Sequence, residues 1–164
     1  MKIAILTASD KGSRGEREDL SAQVIREMLV PLGGEVVAYD IVPDEKEQLI
    51  AKMVECADGK GVDLILTTGG TGLSPRDVTP EATKEVIDRE IPGIAEAMRA
   101  AGLKHTPHAM LSRAVAGSRG KTLIINLPGS PRAVRENLEV ILPVLPHALE
   151  TLQGRGGECA RPER

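Results

Sequence analysis

KIAILTA, from Lys2 to Ala8, is an apolar run of strand length at the start of the chain. The polar stretch from Ser9 to Gly15 follows it as a flexible loop. From about Asp19 to Leu32, Leu20, Val24, Met28 and Leu32 recur at helical spacing, with Ile25 and Leu29 beside them, and Gly33-Gly34 stops that helix. EVVAYDIV, from Glu35 to Val42, is a second strand. Asp44 with Glu47 three places on has the form of a capping box with Asp in place of Ser, and opens a helix reaching about Ala57. Val62 to Leu66 is a third strand. Thr79 then offers an N-cap hydroxyl and Pro80 a first helical position, and helices over Pro80 to Arg89 and Gly93 to Ala101 are separated at Ile91-Pro92. Met110 to Ala116 and Lys121 to Leu127 form two strands whose short connection, Gly117 to Gly120, predicts an antiparallel pair. Ser130 as N-cap and Pro131 as first residue start a last helix, bent at Pro143 or Pro146 and ending near Leu152. Strands alternating with amphipathic helices predict a three-layer α/β/α fold around a mainly parallel, mixed sheet.

The 164 residues make one domain, expected over residues 1–153, able to bury roughly 68–70% of its unfolded surface. The Gly- and charge-rich end from Gly154 to Arg164 has little to bury and is expected to be disordered. Phe and Trp are absent and Tyr39 is the only aromatic residue, so the core is aliphatic. Base-stacking surfaces are therefore lacking, and the formal charge of −3 gives no electrostatic hold on nucleic acid. Cys56 and Cys159 suggest neither a disulfide framework nor a metal cluster. No run is long and uncharged enough for a membrane span, and Ile3 to Leu6 is too short for a signal peptide. The expectation is a cytoplasmic protein with neither a membrane nor a nucleic-acid partner.

Candidate chemistry concentrates in the stretch from Thr67 to Glu81 after the third strand. Gly69, Gly70 and Gly72 allow successive backbone N–H groups to turn toward one point, which suits a phosphate. Glycine-rich turns after strands also occur without ligands, and Asp77 could simply make an Asx turn. Ligands of open parallel sheets sit outside the carboxyl ends of the strands. There the fold would gather Ser9-Asp10, Pro43-Asp44, Gly69 to Asp77 and Asn126 to Ser130. Asp44 and Asp77 beside bound phosphates would suit Mg²⁺, although Asp44 equally fits a helix cap, Asp10 a turn, and Ser130 a cap that also binds. Gly117 to Thr122 lacks the first glycine of a Walker A loop, and Pro75 stands where a dinucleotide fingerprint needs its third glycine. His105, His108 and His147 have no metal spacing, and Ser112 lacks a nucleophile elbow.

Gly69-Gly70-Thr71-Gly72 with Arg76-Asp77-Val78-Thr79-Pro80-Glu81, Pro92-Gly93, Met110-Leu111-Ser112-Arg113 and Leu127-Pro128-Gly129-Ser130 together resemble the MogA/MoaB family of molybdenum-cofactor biosynthesis proteins, to which the G domain of gephyrin also belongs. The resemblance runs from residue 3 to about residue 152. Asn126 before Leu-Pro-Gly is similar to the MogA and gephyrin branch, which adenylylates molybdopterin with Mg-ATP and releases pyrophosphate. A MoaB-like protein that binds molybdopterin with little turnover is the alternative. The resemblance implies that Asp44 and Asp77 are the catalytic, metal-binding pair. It also implies that Gly69, Gly70, Thr71 and Gly72 contact phosphate, and that Ser112, Asn126, Pro128, Gly129 and Ser130 line the pterin or nucleotide pocket. A homotrimer and a link to the molybdate-inserting protein of the pathway are further expectations. Ala22 where the family often has Gly, and Ser118 where an apolar residue is commoner, are its departures.

Overall fold

A computed structural model describes residues 1–156. Of the tail expected from Gly154, positions 157–164, Cys159 among them, lie outside the described residues. Positions 153–155 are tied down: Gln153 donates to Asp63 at 2.6 Å and the Arg155 N–H to the Glu150 carbonyl at 2.9 Å.

The strands are β1 (Lys2–Ala8), β2 (Glu35–Val42), β3 (Leu64–Thr68), β4 (Arg89–Glu90), β5 (Ala116–Arg119) and β6 (Thr122–Leu127), in the spatial order β2-β1-β3-β6-β5-β4. β2, β1, β3 and β6 run parallel, and β6, β5 and β4 pair antiparallel. Alternate residues of β1 serve opposite faces. Ile3 and Ile5 join a core with Ala22, Ile25 and Leu29 of α2 (Leu20–Leu29), Met98 of α5 (Pro92–Gly102), Val134 and Leu138 of α6 (Pro131–Ile141) and Leu149 of α7 (Leu145–Leu152). Ala4 and Leu6 join the second core with Leu49 and Met53 of α3 (Lys46–Val54) and Ala82 and Val86 of α4 (Thr79–Val86). The three-layer, mixed-sheet expectation therefore holds. No helix of the described residues is long and apolar enough to cross a membrane.

Local departures have local causes. The loop after β1 contains a helical turn, α1 (Asp10–Ser13), because Ser9 Oγ accepts the Gly12 N–H at 2.9 Å. Along α2 the core takes Ala22, Ile25 and Leu29, and leaves Leu20 exposed. Thr79 does not cap α4: it is buried, and its hydroxyl donates to the Gly69 carbonyl at 3.0 Å. Asp44 does not cap α3 either, since Glu45 holds the N-cap position without a side-chain bond. The first strand of the antiparallel pair begins at Ala116 rather than Met110. Met110 and Leu111 close a 3₁₀ turn, Pro107–Leu111, and Arg99 Nη1 takes the Ser112 and Ala114 carbonyls at 3.3 and 3.0 Å. β4, a pair of charged residues with no apolar period, forms only because Asp88 and Ile91 donate to Ser118 and Ala116 across the gap.

Candidate active site

The chain leaves β1 toward β2 on one side and leaves β3 toward β6 on the other, so the strand order reverses between β1 and β3. A crevice opens at such a switch point, at the carboxyl ends of the strands. Here it is a cleft of about 630 Å³, a volume suited to a small-molecule ligand. Its walls come from Ser9 and Gly12 after β1, Ile41 and Asp44 at the end of β2, and Thr68, Gly69 and Gly70 after β3. Gly129, Ser130 and Pro131 after β6, Arg17 to Ser21 at the start of α2, and Asp77 complete them.

Gly69 and Gly70 both have left-handed backbones, φ +88° and +69°. A Cβ on Gly69 would stand 2.5 Å from the Ala8 carbonyl oxygen, and one on Gly70 would collide with Thr79 Oγ1 and come within 3.3 Å of Asp44 Oδ1. Only glycine lets the β3 loop pass this close to β1 and to the acidic side chain. The Thr79 N–H donates to the Gly70 carbonyl at 3.2 Å, holding the loop against the start of α4.

Asp44 is locked to the loop after β1 by reciprocal bonds. Asp10 N–H donates to Asp44 Oδ2 at 3.0 Å, and Asp44 N–H donates to Asp10 Oδ1 at 2.9 Å. Arg76 in turn grips Asp10 with two hydrogen bonds, 3.1 and 3.0 Å, and reaches Glu45 at 2.9 Å. The guanidinium holds the Asp10 carboxyl below its ordinary range. Asp44 moves the other way: burial raises its pKa, and the negative charges of Asp10 and Asp77 add to that, only partly offset by the Asp10 N–H and by Arg76. Asp44 and Asp77 thus share one electrostatic site, although 33 positions apart in sequence.

Asp77 is placed by its own loop and by Arg113. Its Oδ2 accepts the Ser74 N–H at 3.1 Å, and a Cβ on Gly72 would approach that oxygen to 2.9 Å. Arg113 Nε donates to the Gly72 carbonyl at 2.8 Å, Nη2 to the Asp77 carbonyl at 2.7 Å, and Nη1 pairs with Glu81. The Arg113 N–H also donates to the Thr71 carbonyl at 2.9 Å. Arg113 thus staples both ends of the segment from Thr71 to Asp77. Neither its role nor that of the Arg76–Asp10 clamp follows from sequence spacing, since each partner lies more than 30 positions away.

The remaining expected site residues divide. Gly129 and Ser130 line the cleft, and the Ser130 hydroxyl also caps α6 by accepting the Ala133 N–H at 3.2 Å. Thr71 is buried beside the loop, and the Pro128 carbonyl accepts the Thr68 hydroxyl at 2.7 Å behind the cleft wall. Asn126 lies inside the fold rather than in the lining. It is fully buried, and its amide donates to Thr67 at 2.9 Å and Thr83 at 2.8 Å and accepts the Val115 N–H at 3.1 Å. Ser112 also stands off the lining, where its Oγ accepts the Ala114 N–H at 3.3 Å. Among the described residues no group of three or more His, Cys, Asp and Glu side chains is arranged around a metal position. Two carboxylates lining one cleft are, however, a fitting partial shell for Mg²⁺, which takes its other ligands from phosphates and water.

A glycine turn, helix starts and two carboxylates gathered at the switch point of a doubly wound sheet define an α/β protein with its ligand cleft at the carboxyl edge of the strands. The family model described as "Probable molybdopterin binding domain" matches residues 4–147, and the chain belongs to that family. The molybdopterin adenylyltransferase of Helicobacter pylori strain J99 is 45% identical over 154 residues, covering 93% of this chain and 88% of its own. The crystal structure of the molybdopterin biosynthesis enzyme MoaB from Thermus thermophilus superimposes with a TM-score of 0.89 at 59% identity, over 93% of this chain and 96% of that one. A solved structure of MogA gives 0.87 at 42% identity, over 93% of this chain and 99% of that one.

Proposed function

We propose that the chain is a molybdopterin adenylyltransferase of molybdenum-cofactor biosynthesis. An oxygen of the terminal phosphate of molybdopterin forms a bond to the α-phosphorus of ATP, the bond to the bridging oxygen of the β-phosphate breaks, and pyrophosphate leaves. The observation that carries this reading is the meeting of Asp44 and Asp77 beside the Gly69-Gly70 turn in one cleft. The relatives named as adenylyltransferases support it at 39–45% identity. A phosphate monoester is largely ionised at pH 7, so the nucleophile needs no strong base. Positioning and charge neutralisation then supply the catalysis.

Mg²⁺ enters with ATP as part of that substrate, and Asp44 and Asp77 are the side chains that would hold it. The amides around Gly69, Gly70, Thr71 and Gly72 receive the polyphosphate, while Gly129 and Ser130 at the start of α6 form the wall on which a second phosphate rests. Asn126 acts from beneath by fixing Thr67 and Thr83. Ser112 and Pro128 serve the pocket only through the backbone next to them. The chain acts in the cytoplasm as a homotrimer and passes its product to the molybdate-inserting protein of the pathway, a reading that rests on the family resemblance.

The deciding experiment is pyrophosphate release from Mg-ATP on addition of molybdopterin. Stoichiometric release with formation of adenylyl-molybdopterin is expected. Intact pterin binding without release would establish the MoaB-like binding role instead.

A further inference from the structure

The cleft must accept two anions, yet its walls are acidic. They carry the carboxylates of Glu18, Asp19, Asp44 and Asp77 and, among the described residues, a single cationic side chain, Arg17. Mg²⁺ can offset the charge of the ATP phosphates, but a phosphomonoester approaching separately needs a cation of its own.

The other arginines of the neighbouring loops already have partners: Arg14 pairs with Glu16 at 3.0 Å, Arg76 with Asp10 and Glu45, and Arg113 with Glu81. Arg17 makes no hydrogen bond or ion pair with any described residue. Nearby Asp19 is not available to it in the same way. That carboxylate accepts the Thr7 hydroxyl at 2.5 Å, the Tyr39 hydroxyl at 2.6 Å and, as N-cap of α2, the Ala22 N–H at 3.1 Å. These bonds fix the segment that carries Arg17, and Ser21 Oγ ties α2 to the Gly129 carbonyl at 2.7 Å. Arg17 therefore lines the cleft from the segment just before α2, a different segment from the loops after β2 and β3 that carry Asp44 and Asp77.

We propose that Arg17 is the residue that recognises the terminal phosphomonoester of the pterin substrate, holding it for attack while the acidic wall takes the metal–nucleotide. The inference rests on the proposed adenylyl transfer for its choice of substrate. A planar guanidinium can offer two parallel N–H donors to two phosphate oxygens, a geometry that lysine cannot reproduce.

The test uses the full chain and initial rates of pyrophosphate release, with molybdopterin varied at saturating Mg-ATP and then the reverse. Arg17→Ala should raise KM for molybdopterin roughly tenfold, the scale of one charge-assisted hydrogen bond in an open cleft, and leave KM for Mg-ATP within about twofold. Arg17→Lys should recover part of the loss, and the gap between wild type and Arg17→Ala should narrow in about 0.5 M salt. An unchanged KM for molybdopterin, or a rise confined to Mg-ATP, overturns the proposal. If the wild type releases no pyrophosphate, titration of molybdopterin by its own fluorescence separates the two readings. Binding weakened roughly tenfold by Arg17→Ala keeps Arg17 in its role while adenylyl transfer falls, and equal binding removes Arg17 from it.

Discussion

Asp44 shows how far a single residue can be argued from sequence. Its position before a helix suits a cap, but its carboxylate instead accepts the Asp10 N–H and faces Asp77 in a half-buried cleft. Its raised pKa has a definite sign. A carboxyl whose folded pKa exceeds the unfolded one adds stability that is complete below the unfolded value and lost as pH rises through the folded value. Asp44→Asn keeps an acceptor for the Asp10 N–H and removes the buried charge. Thermal melts at pH 7 should therefore show a Tm equal to or above wild type while pyrophosphate release disappears. A Tm several degrees lower would contradict this account of Asp44. For the same reason the acid limb of kcat/KM should lie above the ordinary aspartate value of about 3.9. Asp10 has the opposite sign: its stabilising contribution, set by Arg76, is present above its unfolded pKa and lost as pH falls through the lower folded one. Asp77→Ala should lower kcat by about 10²–10³-fold, the scale of one lost charge-stabilising group, with circular dichroism unchanged. Turnover surviving that change would remove Asp77 from the chemistry.

Among the elements, the loop after β3 depends most on backbone geometry. Gly69→Ala places a Cβ against the Ala8 carbonyl in a left-handed backbone, so urea denaturation should show a loss of about 2 kcal/mol or more and turnover should fall with it. Wild-type stability in that variant would mean that the loop need not pass so close to β1. The end of β6 depends on polar satisfaction instead. Asn126→Ala leaves the Val115 N–H and the Thr67 hydroxyl without this partner inside the fold, while Thr83 keeps its bond to the Thr79 carbonyl, and should cost about 2–4 kcal/mol in denaturant unfolding. A near-zero cost would contradict the internal role of Asn126. The elements that periodicity located best, β1, β2 and α6, are those whose apolar faces meet a core directly. β4 was not foreseen and the start of β5 was displaced because contacts between segments decide them: Arg99 captures the Ser112 and Ala114 carbonyls, and β4 exists only by pairing with β5.

At the scale of the molecule, the order β2-β1-β3-β6 converts four separate loops into one cleft, and that convergence underlies the proposed chemistry. Removal of Mg²⁺ with a chelator should abolish pyrophosphate release and leave the melting transition in place, because no described cluster of side chains holds the fold together through a metal. A large fall in Tm on chelation would point to a structural ion. The chain by itself determined the alternation of strands and helices, the aliphatic core and the glycine loop, since these follow from local spacing and residue chemistry, whereas the acidic pair was singled out as catalytic only by the family resemblance. Tertiary structure alone decided that Asp44 is a half-buried partner of Asp10 rather than a cap, that Arg113 and Arg76 hold the two acidic loops, and that Asn126 lies inside the fold rather than in the cleft lining. Each of those outcomes is a contact between segments 11 or more positions apart, most of them more than 30, and such contacts come into being only when the sheet sets its strand order.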